Sequence, residues 1–163
     1  MWKAIENSDD TDCSCLESSV CHTCVMSMTI QIRRQLSVAI ENQLGRLGQV
    51  GRLLAAQGIH IDAFSVIDNV EQGMVRLMTS DPAAARESLK AASLPVVEVE
   101  VLAIEMNDCI GNLAAVGEAL AAAEINIEYA YASTAEVGQP ARLILKTATP
   151  AVARRILEEK LEA

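Results

Sequence analysis

From about residue 30 the chain alternates between two hydrophobic periods. Runs of β type, with apolar side chains at every second position, are separated by segments in which apolar residues recur every third or fourth position. A strand over about 31–40 leads into a glycine-bearing turn. The helix that follows carries Leu47, Val50 and Leu54 on one side and is closed by Gly58, a residue suited to the left-handed turn after a helix. "IHIDAFSVI" and "GMVRLMT" read as second and third strands. "SDPAAARESLKAA" opens a second helix, with Asp81 as N-cap and proline at the first helical position, where its missing N–H costs nothing.

The same order then recurs. A shift of 66 places lays "GRLGQVGRLLAAQGIHID" from Gly45 over "GNLAAVGEALAAAEINIE" from Gly111, matching Val50 to Val116, Gly51 to Gly117 and Leu54 to Leu120. After a two-residue insertion the shift is 68, and Thr79, Pro82, Arg86 and Leu89 fall on Thr147, Pro150, Arg154 and Leu157. This period exceeds the roughly 20–50 residues of solenoid repeats, so it marks a duplicated small domain. "LPVVEVEVLAIEM" is long enough to close the first copy and open the second, whose own first strand reads as about 98–106. The fold class is α+β: two βαββαβ modules, the second lacking its last strand, since residue 163 corresponds to residue 95 (163 − 68 = 95). We expect an extension over 1–28 and modules over 29–97 and 98–163. The edge left by the missing strand is expected to be covered by the N-terminal segment, by another subunit or by nothing.

The turn "ENQLGRLGQVG" invites a phosphate-binding reading, but its spacing is G-x-x-G-x-x-G rather than G-x-G-x-x-G. The second copy has Ala114 for the middle glycine, and no G-K-[ST] follows. Gly45 and Gly111 sit where a strand turns into a helix and a positive φ or a close ligand requires glycine. Gly51 and Gly117 are expected to press on the sheet. The helix starts offer outward N–H groups suited to a carboxylate.

"SVAIENQLGRLGQVGRLLAAQGIHIDAFSV", with its echo "AIEMNDCIGNLAAVGEALAAAEINIEYAYA", resembles the ACT domain, a ferredoxin-like ligand-binding module, and more narrowly the free-standing tandem ACT proteins. The resemblance implies a non-catalytic regulator without a cofactor that binds an amino acid at module interfaces, as a homodimer, with a regulated enzyme as a further partner. It places ligand contacts in Asn42, Gln43, Leu44 and Gly45 and in Asp108, Cys109, Ile110 and Gly111, with Ser65 and Tyr131 on the facing strands. Where the family often has proline before the glycine, this chain has Leu44 and Ile110. Asn42 and Asp108 equally suit plain turns closed on their own backbone. A neighbouring resemblance is to the small regulatory subunit of acetohydroxyacid synthase, which shares the loop pattern. The clear second glycine loop favours the tandem protein.

Composition narrows the partners. The net charge of −9 and the 2% aromatic content disfavour nucleic acid and anionic membranes, and no apolar run is long enough to span a bilayer, so a cytoplasmic protein is expected. His60 has Asn126 at its place in the other copy, and no nucleophile, acid pair or zinc-protease pattern stands out; no enzyme is expected. Cys13, Cys15, Cys21 and Cys24, with His22, offer metal ligands of zinc or iron–sulfur type. The spacer is short and the tail polar, so disorder or a start at Met26 or Met28 is the favoured reading over a metal or redox module.

Overall fold

The computed structural model describes residues 28–69, 72–107, 111–133 and 140–161. The cysteine-bearing segment before Met28, with its four candidate ligands, lies outside them. Ten elements follow in order: β1 Met28–Glu41, α1 Arg46–Ala56, β2 Ile61–Asn69, β3 Gln72–Thr79, α2 Pro82–Ala91, β4 Val96–Asn107, α3 Asn112–Ala122, β5 Ile127–Ser133, β6 Pro140–Thr147 and α4 Pro150–Leu161. All strands belong to one antiparallel sheet of order β2-β3-β1-β4-β6-β5.

The tandem ferredoxin-like pattern is present, and the sheet shows how the second module manages without a strand of its own. β1 is long because its two halves serve different modules. Residues 36–41 pair with β3 inside the first module, whereas Met28–Val38 run antiparallel to Met106–Val96 of β4. The N-terminal half of β1 therefore occupies the vacant edge beside β4 and closes the second module. β4 does the reverse, ending the first module with its early residues and pairing with β6 from Leu102 onward. The cover is thus the first module's own β1, whereas the N-terminal segment expected there lies, before Met28, outside the described residues.

Two cores follow from this exchange. Leu36, Val38 and Ile40 pack with Val50 and Leu54 of α1 and with Ala85 and Leu89 of α2. Met28 and Ile30, two residues further along the same face, pack instead with Leu102, Ile104, Val116, Leu120 and Leu157. Since all these β1 residues are even-numbered and strand side chains alternate, the four helices share one face of the sheet. The opposite face closes on itself. Met78 of β3, Val101 of β4 and Ile144 of β6 are all fully buried in a third cluster. Arg76 of β3 lies 3.8 Å above the ring of Tyr129 on β5. Neighbouring strands lie about 4.8 Å apart, so four spacings of a flat sheet would keep β3 and β5 about 19 Å from each other. The sheet must coil strongly enough to bring its two ends together.

Local signals behave as the residue types dictate. Gly58 takes φ 67° after α1, and the N–H of Ile59 donates to Leu54 O at 3.0 Å. In the second copy Glu124 adopts the same left-handed turn at φ 56°, with the N–H of Ile125 donating to Leu120 O at 2.9 Å. Asp81 caps α2, accepting from the Ala84 N–H at 3.0 Å. Gly51 and Gly117 depart from expectation. A Cβ on either would meet nothing within 4 Å, so the bare Cα is not required by packing inside the chain.

Ile30 belongs to the first repeat in sequence but to the second module's core in space. Ile30→Ala is expected to cost about 2–4 kcal/mol and to speed hydrogen exchange in α3 and α4. Faster exchange confined to α1 and α2 would contradict the strand assignment.

Candidate functional site

The first glycine turn joins β1 to α1. Gly45 stands at the N-cap with φ 85° and ψ −8°, a left-handed conformation that side chains disfavour, although open space surrounds it. Glycine is thus fixed here by backbone conformation rather than by crowding. The turn is held by the N–H of Gln43 donating to Glu41 O at 2.8 Å and that of Arg46 to Gln43 O at 3.3 Å. Asn42 donates through Nδ2 to Asp68 Oδ1 at 3.1 Å, tying the turn to the end of β2. Gln43 and Leu44 are exposed.

Gly111 repeats the arrangement at α3, with φ 96° and ψ −11°. Asp108, Cys109 and Ile110 lie outside the described residues. Among the described residues no side chain caps the glycine position at either helix start and no acidic residue occupies the first turn, whereas α2 uses Asp81. The partial positive charge of the first amides is therefore left without a carboxylate from either first turn.

Beside the first turn lies an open cleft of about 530 Å³, bounded by the end of β1, the start of α1 and the Ala92–Pro95 turn. Its polar lining is Glu41, Arg46, Gln49, Gln72 and Ser93. Arg46 pairs with Glu41 and also donates to Gln49 Oε1 at 3.2 Å. Both signs of charge thus stand at the cleft edge, which matches the ends of a zwitterion. Sequence reasoning passed over Glu41 and Arg46 because neither has a charged equivalent in the second copy, where the positions hold Asn107 and Asn112. The signal was a charge of each sign flanking the glycine turn.

Ser65 and Tyr131 are placed elsewhere. Ser65 pairs with Arg76, and Tyr131 with Ile144, which puts both on the face away from the helices. Tyr131 donates its hydroxyl to Gln35 Oε1 at 3.0 Å, and Gln35 Nε2 donates to the Tyr129 hydroxyl at 2.8 Å. Gln35 is fully buried, so these two bonds satisfy a group that would otherwise be costly to enclose. Burial, and secondarily the neighbouring Tyr129, pushes the Tyr131 hydroxyl well above the ordinary tyrosine range, against a smaller opposing effect of Arg76. The Arg33–Asp62 ion pair at 2.7 Å joins β1 to β2. This polar junction links the two ends of the coiled sheet and stands apart from the glycine turns.

With that geometry in place, similarity to known proteins is specific. The family model of the ACT domain pair matches residues 28–163, and the chain belongs to that family. Among solved structures, a Bacteroides thetaiotaomicron protein is 30% identical, with a TM-score of 0.75 over 80% of this chain and 90% of the other. The ligand-free regulatory subunit of aspartate kinase from Thermus thermophilus shares the fold at 18% identity and a TM-score of 0.63, covering 85% of this chain and 99% of its own. The corresponding Thermus flavus subunit does so at 21% identity and a TM-score of 0.58, covering 84% and 98%. No curated protein matches the chain. Among the described residues no helix is long and apolar enough to cross a membrane.

Two outcomes are expected of the site geometry. Gly45→Ala should cost about 1–2 kcal/mol in chemical denaturation, the penalty of a left-handed Cβ, since no clash adds to it. Tyr131, whose folded pKa lies above its unfolded value of about 10, stabilises the fold below that pH and ceases to do so as pH rises further. Tyr131→Phe should therefore lower stability by about 1–3 kcal/mol at neutral pH by removing the donor to the buried Gln35 Oε1, and should flatten the loss of stability above about pH 10. An unchanged alkaline profile would place that loss in another group.

Proposed function

We infer that this ACT domain pair is a non-catalytic regulatory protein that binds an amino acid at its glycine-started helices. The carrying observation is the pair of left-handed glycine N-caps, both without a side-chain cap or a first-turn acid among the described residues, in a chain that caps α2 with Asp81. A ligand carboxylate fits this vacancy because the first amides point outward and carry the positive end of the helix dipole. At the first turn, Arg46 and Glu41 offer partners for the carboxylate and ammonium of the same molecule, and Asn42, Gln43, Leu44 and Gly45 form the turn between them. At the second turn the same role falls to Asp108, Cys109, Ile110 and Gly111, with Asp108 as the ammonium partner. Ser65 and Tyr131, on the sheet face away from the helices, take no part in this site.

Similarity to regulatory subunits of aspartate kinase supports a partner enzyme whose activity follows ligand occupancy. The protein acts as a homodimer in this reading, in the cytoplasm and without a cofactor.

A melting screen of the full-length protein against the twenty amino acids tests the reading. A ligand present at about 100 times its Kd stabilises by about 2.7 kcal/mol and should raise Tm by roughly 5–10 °C for a chain of this size. Asn42→Ala and Asp108→Ala should each reduce that rise. No response to any amino acid, or a response that both substitutions leave intact, would place the site elsewhere.

A further inference from the structure

The duplication supplies its own control for the sheet face away from the helices. A shift of 66 places sets Gln35 on Val101, Ala63 on Tyr129 and Ser65 on Tyr131, and the later shift of 68 sets Arg76 on Ile144. The strands keep the same correspondence, since β2 and β5 carry one irregularity each, between Ile61 and Ala63 and between Ile127 and Tyr129. The two equivalent regions are built from different chemistry. Val101, Ile144 and Ala63 lie together in the buried apolar cluster of this face. Their counterparts Gln35, Arg76 and Tyr129 are polar and engage one another. Gln35 Nε2 donates to the Tyr129 hydroxyl and reaches Ser37 Oγ at 3.4 Å, its Oε1 accepts from the Tyr131 hydroxyl, and Arg76 covers the Tyr129 ring. The apolar version shows that filling this space does not by itself call for the polar one.

Three observations make the polar contact the one that can let go. Among the described residues β5 is an edge strand bonded to β6 alone, so it can move without breaking a second ladder. Arg76, Tyr129 and Tyr131 are each half-buried, so a small displacement lets water take over their bonds. The apolar side has no such substitute, because separating Val101 from Ile144 would wet two fully buried side chains.

We propose that Gln35, Arg76, Tyr129 and Tyr131 form a releasable clasp: the chain has a second arrangement in which β5 leaves Gln35 and Arg76 while the apolar half of the same face stays packed. Gln35 lies on the strand that ends in the first glycine turn, and the tyrosines lie on the strand that follows α3, the helix begun at the second turn. Opening the clasp therefore cuts the side-chain link between those two strands and leaves the ladder of β1 with β4 intact. The clasp's use in regulation rests on the amino-acid-binding reading, whereas its existence does not. A minor arrangement opposed by a few such contacts is populated at roughly 0.1–10%.

The chain holds two tyrosines, both in the clasp, which makes them selective reporters. Tyrosine isotope-labelled at the ring carbon that bears the hydroxyl gives one NMR signal for each. Relaxation dispersion on the full-length protein without added amino acid then reads exchange between the arrangements on the μs–ms scale. One exchange process common to both signals is expected. Arg76→Gln should raise the minor population about two- to fivefold by removing the cation–π contact. Gln35→Leu should raise it about tenfold or more by leaving both phenols without their partner. Circular dichroism melts check folding, and Arg76→Gln, at a half-buried position, carries the test should Gln35→Leu not fold. Flat profiles in wild type and variants alike, different rates at the two tyrosines, or the same exchange at the methyls of Val101 and Ile144 would overturn the proposal. The melting screen fails independently: shared exchange at the tyrosines supports the clasp even where no amino acid shifts the melt.

Discussion

The antiparallel ladder between β1 and β4 is the interaction on which the rest of the structure depends. Eleven residue pairs run from Met28–Met106 to Val38–Val96, and on its other side each strand pairs within one module, β1 with β3 and β4 with β6. Neither module has a complete sheet without the opposite half of the chain. Duplication of a βαββαβ unit ordinarily gives two domains that can separate at a linker. Here the two long strands replace the linker, so the module boundary runs through the middle of continuous hydrogen-bonded strands.

That constraint reaches the candidate sites. The two glycine turns sit at the C-terminal ends of β1 and β4, so both hang from the shared ladder. Gln35 lies within the ladder and bonds to Tyr129, and Tyr131 bonds to it, coupling the centre of the sheet to its far edge strand. A fully buried amide held by two phenols is a demanding arrangement, since each bond satisfies a group that water cannot reach. Displacement of β1 by a guest at its end would have to be accommodated at this junction. A regulator built this way has a physical route from a turn in one half to side chains in the other.

Much of this was legible in the chain. The repeat at a shift of 66 located both modules, and proline and Asp81 marked the start of α2 because capping chemistry is local. Gly45 and Gly111 were readable as left-handed turns for the same reason. What escaped was non-local. Strand alternation predicts that Tyr129 and Tyr131 share a face, but not that the sheet coils until that face meets Gln35 from β1. Nor can periodicity assign the first eight residues of β1 to the module encoded sixty residues later. Gly51 and Gly117 read as packing positions because helix glycines usually have a neighbour; here a Cβ on either would meet nothing within 4 Å. Glu41 and Arg46 were hidden by the comparison of copies itself, which draws the eye to what repeats rather than to what differs.

Strand sharing should make the two modules one cooperative unit. Residue-resolved hydrogen exchange in rising urea tests it most directly, read at the amides of Val50 and Leu54 in the first core and of Val116 and Leu120 in the second. All four should converge on one opening free energy and one urea dependence. Two distinct unfolding steps, with one core protected after the other has opened, would show that the shared strands do not bind the halves together.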